Sequence, residues 1–91
     1  MVAKKRERME VIRDILLAVR ESREIKPTRL LYASNLSHQM FKEYVDELIK
    51  KGFLSLKSDE DDRKTIFLTK KGNDFLEEYK VIERFIGNFG L

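Results

Sequence analysis

Residues 26–72 read KPTRLLYASNLSHQMFKEYVDELIKKGFLSLKSDEDDRKTIFLTKKG, and three differently paced apolar patterns follow one another inside this stretch. Pro27 is suited to open a short helix, because its ring presets the torsion and its missing N–H is not needed in the first turn. Leu30, Leu31 and Ala33 supply the apolar side of that helix as far as Ser34, and Asn35 suits its end because it tolerates a left-handed backbone. After Asn35-Leu36, Ser37 is placed to cap a longer helix to Lys51 in which Phe41, Val45 and Leu48 share a face, flanked by Tyr44 and Ile49, with Gly52 closing it. From Phe53 to Thr69 the period falls to two. Leu54 and Leu56 share one face, as do Ile66 and Leu68, while Ser55, Lys57 and Thr65 point the other way, and the polar run Ser58 to Arg63 forms the loop of a β-hairpin. The order is helix, turn, helix, wing, and it makes a nucleic-acid-binding module the leading expectation.

Upstream, Met9, Ile12, Ile15, Leu16 and Val19 recur at three- and four-residue steps, predicting an amphipathic helix from Lys5 to about Arg23. Downstream, Thr69 can cap a final helix from Lys70 in which Phe75, Tyr79, Ile82 and Ile86 fall on one stripe. Its second half crowds Val81, Ile82, Phe85, Ile86, Phe89 and Leu91 at a chain end that a small core cannot fully cover, and such a patch marks an association surface. The expected architecture is mainly α with a β-hairpin wing (α+β): residues 1–69 as a winged helix-turn-helix domain, and 70–91 as a C-terminal dimerisation helix packed on it.

With 91 residues and 42% hydrophobic content, the chain can bury one core and no more. Its 19 basic and 16 acidic residues give a net charge of only +3, so distribution carries more information than the total. Lys4, Lys5, Arg6 and Arg8 cluster at the start and Arg63, Lys64, Lys70 and Lys71 after the hairpin loop, whereas acid is concentrated in Asp59, Glu60, Asp61 and Asp62. The absence of cysteine excludes disulfides, thiolate metal sites and thiol nucleophiles. No apolar run approaches a membrane span, and a cytoplasmic, nucleoid-associated location is expected.

The run Thr28-Arg29-Leu30-Leu31-Tyr32-Ala33-Ser34-Asn35-Leu36-Ser37, with Leu68-Thr69-Lys70-Lys71-Gly72 and the Lys4-Lys5 opening, resembles a group of small archaeal winged-helix proteins associated with chromatin. The resemblance extends over roughly residues 4 to 80. It implies a winged helix-turn-helix whose C-terminal helix pairs with its mate, giving a dimer that binds duplex DNA with little sequence preference. Two departures stand out: the last helix looks short, ending near Ile86, and Glu43 and Asp46 occupy helix positions where basic side chains are expected in a DNA-binding relative.

In a helix-turn-helix the second helix lies in the major groove with its N-terminal residues nearest the bases, which nominates Ser37, His38, Gln39 and Lys42, with Lys50 as a phosphate contact. Lys26 and Arg29 open the helix that crosses the backbone, and Arg63 and Lys64 lie on the wing. With Lys4, Lys5 and Arg6 these complete the expected DNA-binding set. A solvated face would look similar, since Gln39, Lys42, Glu43, Asp46, Glu47 and Lys50 together hold two positive and three negative charges on the expected outer side. Tyr79, Ile82, Phe85, Ile86 and Phe89 form the expected homodimer interface. Tyr32, Tyr44 and Tyr79, at helical spacing beside apolar neighbours, read as core or interface residues before base-stacking ones.

His38 is the only imidazole, and no glycine-rich phosphate loop follows a strand, so no catalytic set can be assembled and no enzyme, cofactor or small-molecule ligand is expected. The acidic run lacks the spacing and central glycine of a calcium loop and reads as a solvated turn, not a metal site. The alternative to a DNA-binding protein is a protein-interaction module of the same fold, in which the mixed-charge helix and acidic wing tip dock a basic partner.

Overall fold

A computed structural model describes residues 6–90; Lys4 and Lys5, expected above among the DNA-binding residues, and Leu91 lie outside the described residues. Seven elements follow one another: α1 (Arg8–Ser22), β1 (Glu24–Ile25), α2 (Pro27–Ser34), α3 (His38–Lys50), β2 (Leu54–Ser58), β3 (Lys64–Leu68) and α4 (Lys70–Asn88). The local chemistry that sets their limits is visible at each junction. Lys26 is extended before Pro27, Asn35 ends α2 in the left-handed region at φ 54°, and the Ser37 hydroxyl accepts from the Met40 amide.

The sequence Leu68-Thr69-Lys70-Lys71-Gly72 acquires a physical reason. Thr69 Oγ1 accepts from the Gly72 amide to cap α4 and also lies within bonding distance of the carbonyls of Gly52 and Phe53, 2.6 and 2.9 Å away, tying α4 to the end of α3. Gly72 is buried against the Phe53 carbonyl and the Leu68 side chain, where a β-carbon would not fit. Lys71 donates to the Lys51 carbonyl and rests over the Phe53 ring.

Helix α1 is the central rod, packed against α2, α4 and the sheet. Ile15, Leu16 and Val19 are fully enclosed, with Leu30, Leu48, Leu54, Ile66 and Leu76 completing one core that draws on every helix. Val11 is buried, while Met9, expected on this face, is 46% exposed because the core does not reach the first turn of α1. The sheet has the order β1-β3-β2, all antiparallel. The hairpin pairs Leu54 with Leu68 and Leu56 with Ile66, as the period-two pattern requires, and Glu24-Ile25 forms a third strand on the other side of β3. Leu56 leaves the core edge and is 42% exposed. No helix among the described residues is long and apolar enough to cross a membrane.

Candidate nucleic-acid interface

The start of α2, the outer side of α3 and the wing hold the residues expected to meet DNA. Lys26 and Arg29 border an open hollow shared with Ser22, Glu24, Ile25 and Thr65, which brings the start of α2 against β3. Lys64, next to Thr65, borders a second, mostly apolar groove between α3 and the wing, across from Lys42 and Asp46. Among the described residues, Lys26, Arg29, Lys50 and Lys64 form no ion pair.

Other expected contacts are engaged within the protein. Lys42 Nζ lies 3.1 Å from Asp46 Oδ2, and Gln39 Nε2 is 3.5 Å from Glu43 Oε1, both one helical turn away. Ser37 spends an oxygen lone pair on its capping bond, while His38 stands exposed at the first turn of α3. Arg63 reaches Asp61 at 3.5 Å. In the same turn Asp59 accepts from the amides of Asp61 and Arg63, so one carboxylate of the acidic run shapes the loop. Arg6 points inward: it donates to Asp14 and to the carbonyls of Ser34 and Asn35.

Glu47 does not belong to the outer face of α3 as the helical wheel places it. It is half-buried and turned toward α1, where it accepts from Arg8 and, at 2.8 Å, from Lys51. These hydrogen bonds, Arg8 first, hold its carboxyl at about 2, well below its ordinary 4.5. Arg8 is raised in turn, chiefly by the bond to Glu47. Without Glu47 the outer face of α3 is Gln39, Lys42, Glu43, Asp46 and Lys50, in which the charges balance.

Tyr32 was expected in the core or an interface; it is not in the core, being 77% exposed one turn beyond Arg29 on α2 and beside His38 and Asn35. The signal lay in the spacing: Leu30, Leu31 and Ser34 are the buried positions of α2, and Arg29 and Tyr32, three residues apart, share the side left to solvent.

Of the residues expected at a dimer interface, Ile82, Phe85 and Ile86 are exposed on α4, and Phe89 is exposed just past its end. Tyr79 is half-buried within the protomer, stacked on Phe75 and covered by the Arg13 guanidinium, and burial raises its hydroxyl pKa. Helix α4 runs to Asn88, two residues past the expected end.

A family model described as winged helix-turn-helix matches residues 5–87. An uncharacterized protein of the archaeon Methanocaldococcus jannaschii is 46% identical over 50 residues, 55% of this chain, and the match spans half of that relative's length. Among solved structures, Sso10a-2, a DNA-binding protein from the archaeon Sulfolobus solfataricus, superposes with a TM-score of 0.78 at 27% identity over 92% of this chain and 85% of its own. A mutant of E. coli MarR complexed with operator DNA superposes with a TM-score of 0.66 over 74% of this chain and 49% of its own, and at 20% identity that likeness is one of fold.

Proposed function

Because the chain belongs to the winged helix-turn-helix family, with small archaeal winged-helix proteins among its relatives, we propose that it is a duplex-DNA-binding protein, acting as a homodimer and holding DNA mainly by its phosphates. The observation that carries this reading is the grouping of cations around α2 and the wing. Lys26, Arg29 and Lys64 have no carboxylate partner among the described residues. They sit where a winged helix meets the backbone of a duplex, with Lys50 further along α3. On the groove-facing side of α3, by contrast, Lys42 and Gln39 are tied to Asp46 and Glu43, leaving little positive potential for reading bases. Affinity dominated by phosphate and weak in sequence preference suits an architectural role in the nucleoid, or a small regulator with a broad site.

The test is binding of labelled duplex across a series of salt concentrations, followed by competition with unrelated duplex. Four phosphate contacts per protomer, eight in the dimer, set a slope of roughly −7 in log affinity against log salt for the dimer. Replacing Arg29 and Lys64 with alanine should lower the slope by about one per lost contact and weaken all duplexes alike. The second reading, a protein-interaction module, is favoured by Asp59 to Asp62 at the wing tip, which phosphate would repel. Absence of binding even at low salt would put that reading ahead.

A further inference from the structure

We propose that Arg6 is a positioning residue, holding the turn that aims α3, and not a phosphate contact. It precedes α1, and its guanidinium bridges α1 and the end of α2. Nη1 donates to Asp14 Oδ2 at 2.9 Å, while Nη2 donates to the Ser34 carbonyl at 2.8 Å and approaches the Asn35 carbonyl at 3.4 Å. Ser34 and Asn35 are the end of α2, where carbonyls lack helical partners and a cation is favoured by the helix dipole. Asn35 is also the left-handed residue at which the chain turns toward α3. The planar fork thus pins the hinge between the two helices of the motif to the side of α1.

Asp14 is itself held from the other side. Its Oδ1 accepts from Arg13 Nε and Nη2 at 3.1 and 3.0 Å, and Arg13 bonds Glu83 and covers the Tyr79 ring on α4. Burial would lower the Arg13 pKa, but the bonds and charges of Asp14 and Glu83 outweigh it and leave the pKa raised. The side chains of Arg6, Arg13 and Asp14 are each only 27–30% exposed, so these pairs are less screened than ion pairs on the open surface. A continuous chain of charge-assisted bonds therefore runs from α4 through α1 to the helix-turn-helix turn. Both terminal nitrogens of Arg6 are engaged in this way and Asp14 offsets its charge, which leaves only Nε–H and one Nη1–H for phosphate.

Charge removal at Asp14 separates the two roles. If Arg6 served DNA as a cation, Asp14→Asn would take away a nearby negative charge and tighten binding. If Arg6 positions the turn, the same isosteric change loosens its anchor and weakens binding by about tenfold at an unchanged salt slope. Because the proposal rests on the DNA-binding reading, a second measurement on the full chain is independent of DNA. The Asn35 amide, which donates to the Tyr32 carbonyl in the turn, should exchange with solvent several-fold faster in Asp14→Asn and in Arg6→Lys, since an ammonium lacks the planar fork. Unchanged exchange at Asn35 overturns the proposal whatever the DNA result. Faster exchange with unchanged or tighter DNA binding overturns the claim that the turn aims α3. A salt slope that falls by about one per protomer in Arg6→Ala and is restored in Arg6→Lys would make Arg6 a phosphate contact after all. If the wild-type chain binds no duplex, the functional reading fails and the exchange arm alone decides whether Arg6 holds the turn.

Discussion

On the outer side of α3, two carboxylates decide how much positive charge a duplex would meet. Asp46 neutralises Lys42 through an i,i+4 pair that is largely exposed, and Glu43 stands one turn from Gln39. An exposed pair of this kind contributes only a fraction of a kcal/mol to the fold, so its removal should leave stability nearly unchanged. Its effect on DNA is a different matter. Changing Glu43 to Gln and Asp46 to Asn removes two charges of the same sign as phosphate and frees Lys42, so duplex affinity should rise and the salt slope should steepen by about one unit per protomer. Titration at low and moderate salt reads both quantities, and no change in either would mean that α3 faces away from the duplex. At this scale the sequence was a partial guide. The caps at Ser37 and Thr69 and the left-handed Asn35 follow from side-chain chemistry within three residues, and each is found where that chemistry puts it. The inward turn of Arg6 and Glu47 does not, because the partners that draw them toward α1 and the end of α2, namely Asp14, Ser34 and Arg8, are 8 to 39 residues away in the chain.

Elements show the same division between local and distant causes. Helices and hairpin were legible from their periods, whereas β1 is two residues long and exists only because β3 offers it a free edge. The contact between α4 and the hairpin also depends on a residue with no side chain. A β-carbon at Gly72 would lie 2.5 Å from Leu68 Cδ1 and closer still to the Phe53 carbonyl, and backbone there cannot yield. Gly72→Ala should therefore destabilise the fold by about 2 kcal/mol, despite the better helix propensity of alanine. Gly87, in the same helix, has nothing within 4 Å of its would-be β-carbon, so Gly87→Ala should add up to about 1 kcal/mol of helix stability within the protomer. Thermal melts of the two variants should move in opposite directions. A pH series probes the clasp between α1 and α3. Glu47 has its folded pKa depressed to about 2 from 4.5 by Arg8 and Lys51, so it stabilises the fold when ionised. That contribution is complete above 4.5 and is lost as pH falls toward 2. Between those limits the melting temperature of the wild type should converge on that of Glu47→Gln; a gap that persists at pH 2 would show that the charge is not what Glu47 supplies.

The whole molecule is more extended than its length requires: its radius of gyration is 14.2 Å, against about 12 Å for a compact chain of this size. Every residue from 80 to 90 is exposed, and the ion pair of Glu83 with Arg13 is the last bond tying the helix to α1. Around and beyond it, Ile82, Phe85 and Phe89 repeat at three and four residues, 54%, 63% and 67% exposed, with the rings of Phe85 and Phe89 5.0 Å apart. Apolar side chains at that spacing form the seam of paired helices, and a two-fold axis across α4 would bury the stripe of each protomer against that of the other. Tyr79 would then serve the protomer and not the seam, since Arg13 and Phe75 already cover it. Ile82→Glu or Phe85→Glu would place an unpaired carboxylate in that seam at a cost of several kcal/mol, enough to raise the dimer dissociation constant by two orders of magnitude or more. Neither side chain is part of the core, so both variants should keep the wild-type fold by circular dichroism while sedimenting as monomers. Their DNA binding should lose about half the salt slope of the wild type, because one protomer brings half of the phosphate contacts. A wild-type chain that sediments as a monomer at micromolar concentration would refute the pairing and leave each winged helix to bind its duplex singly.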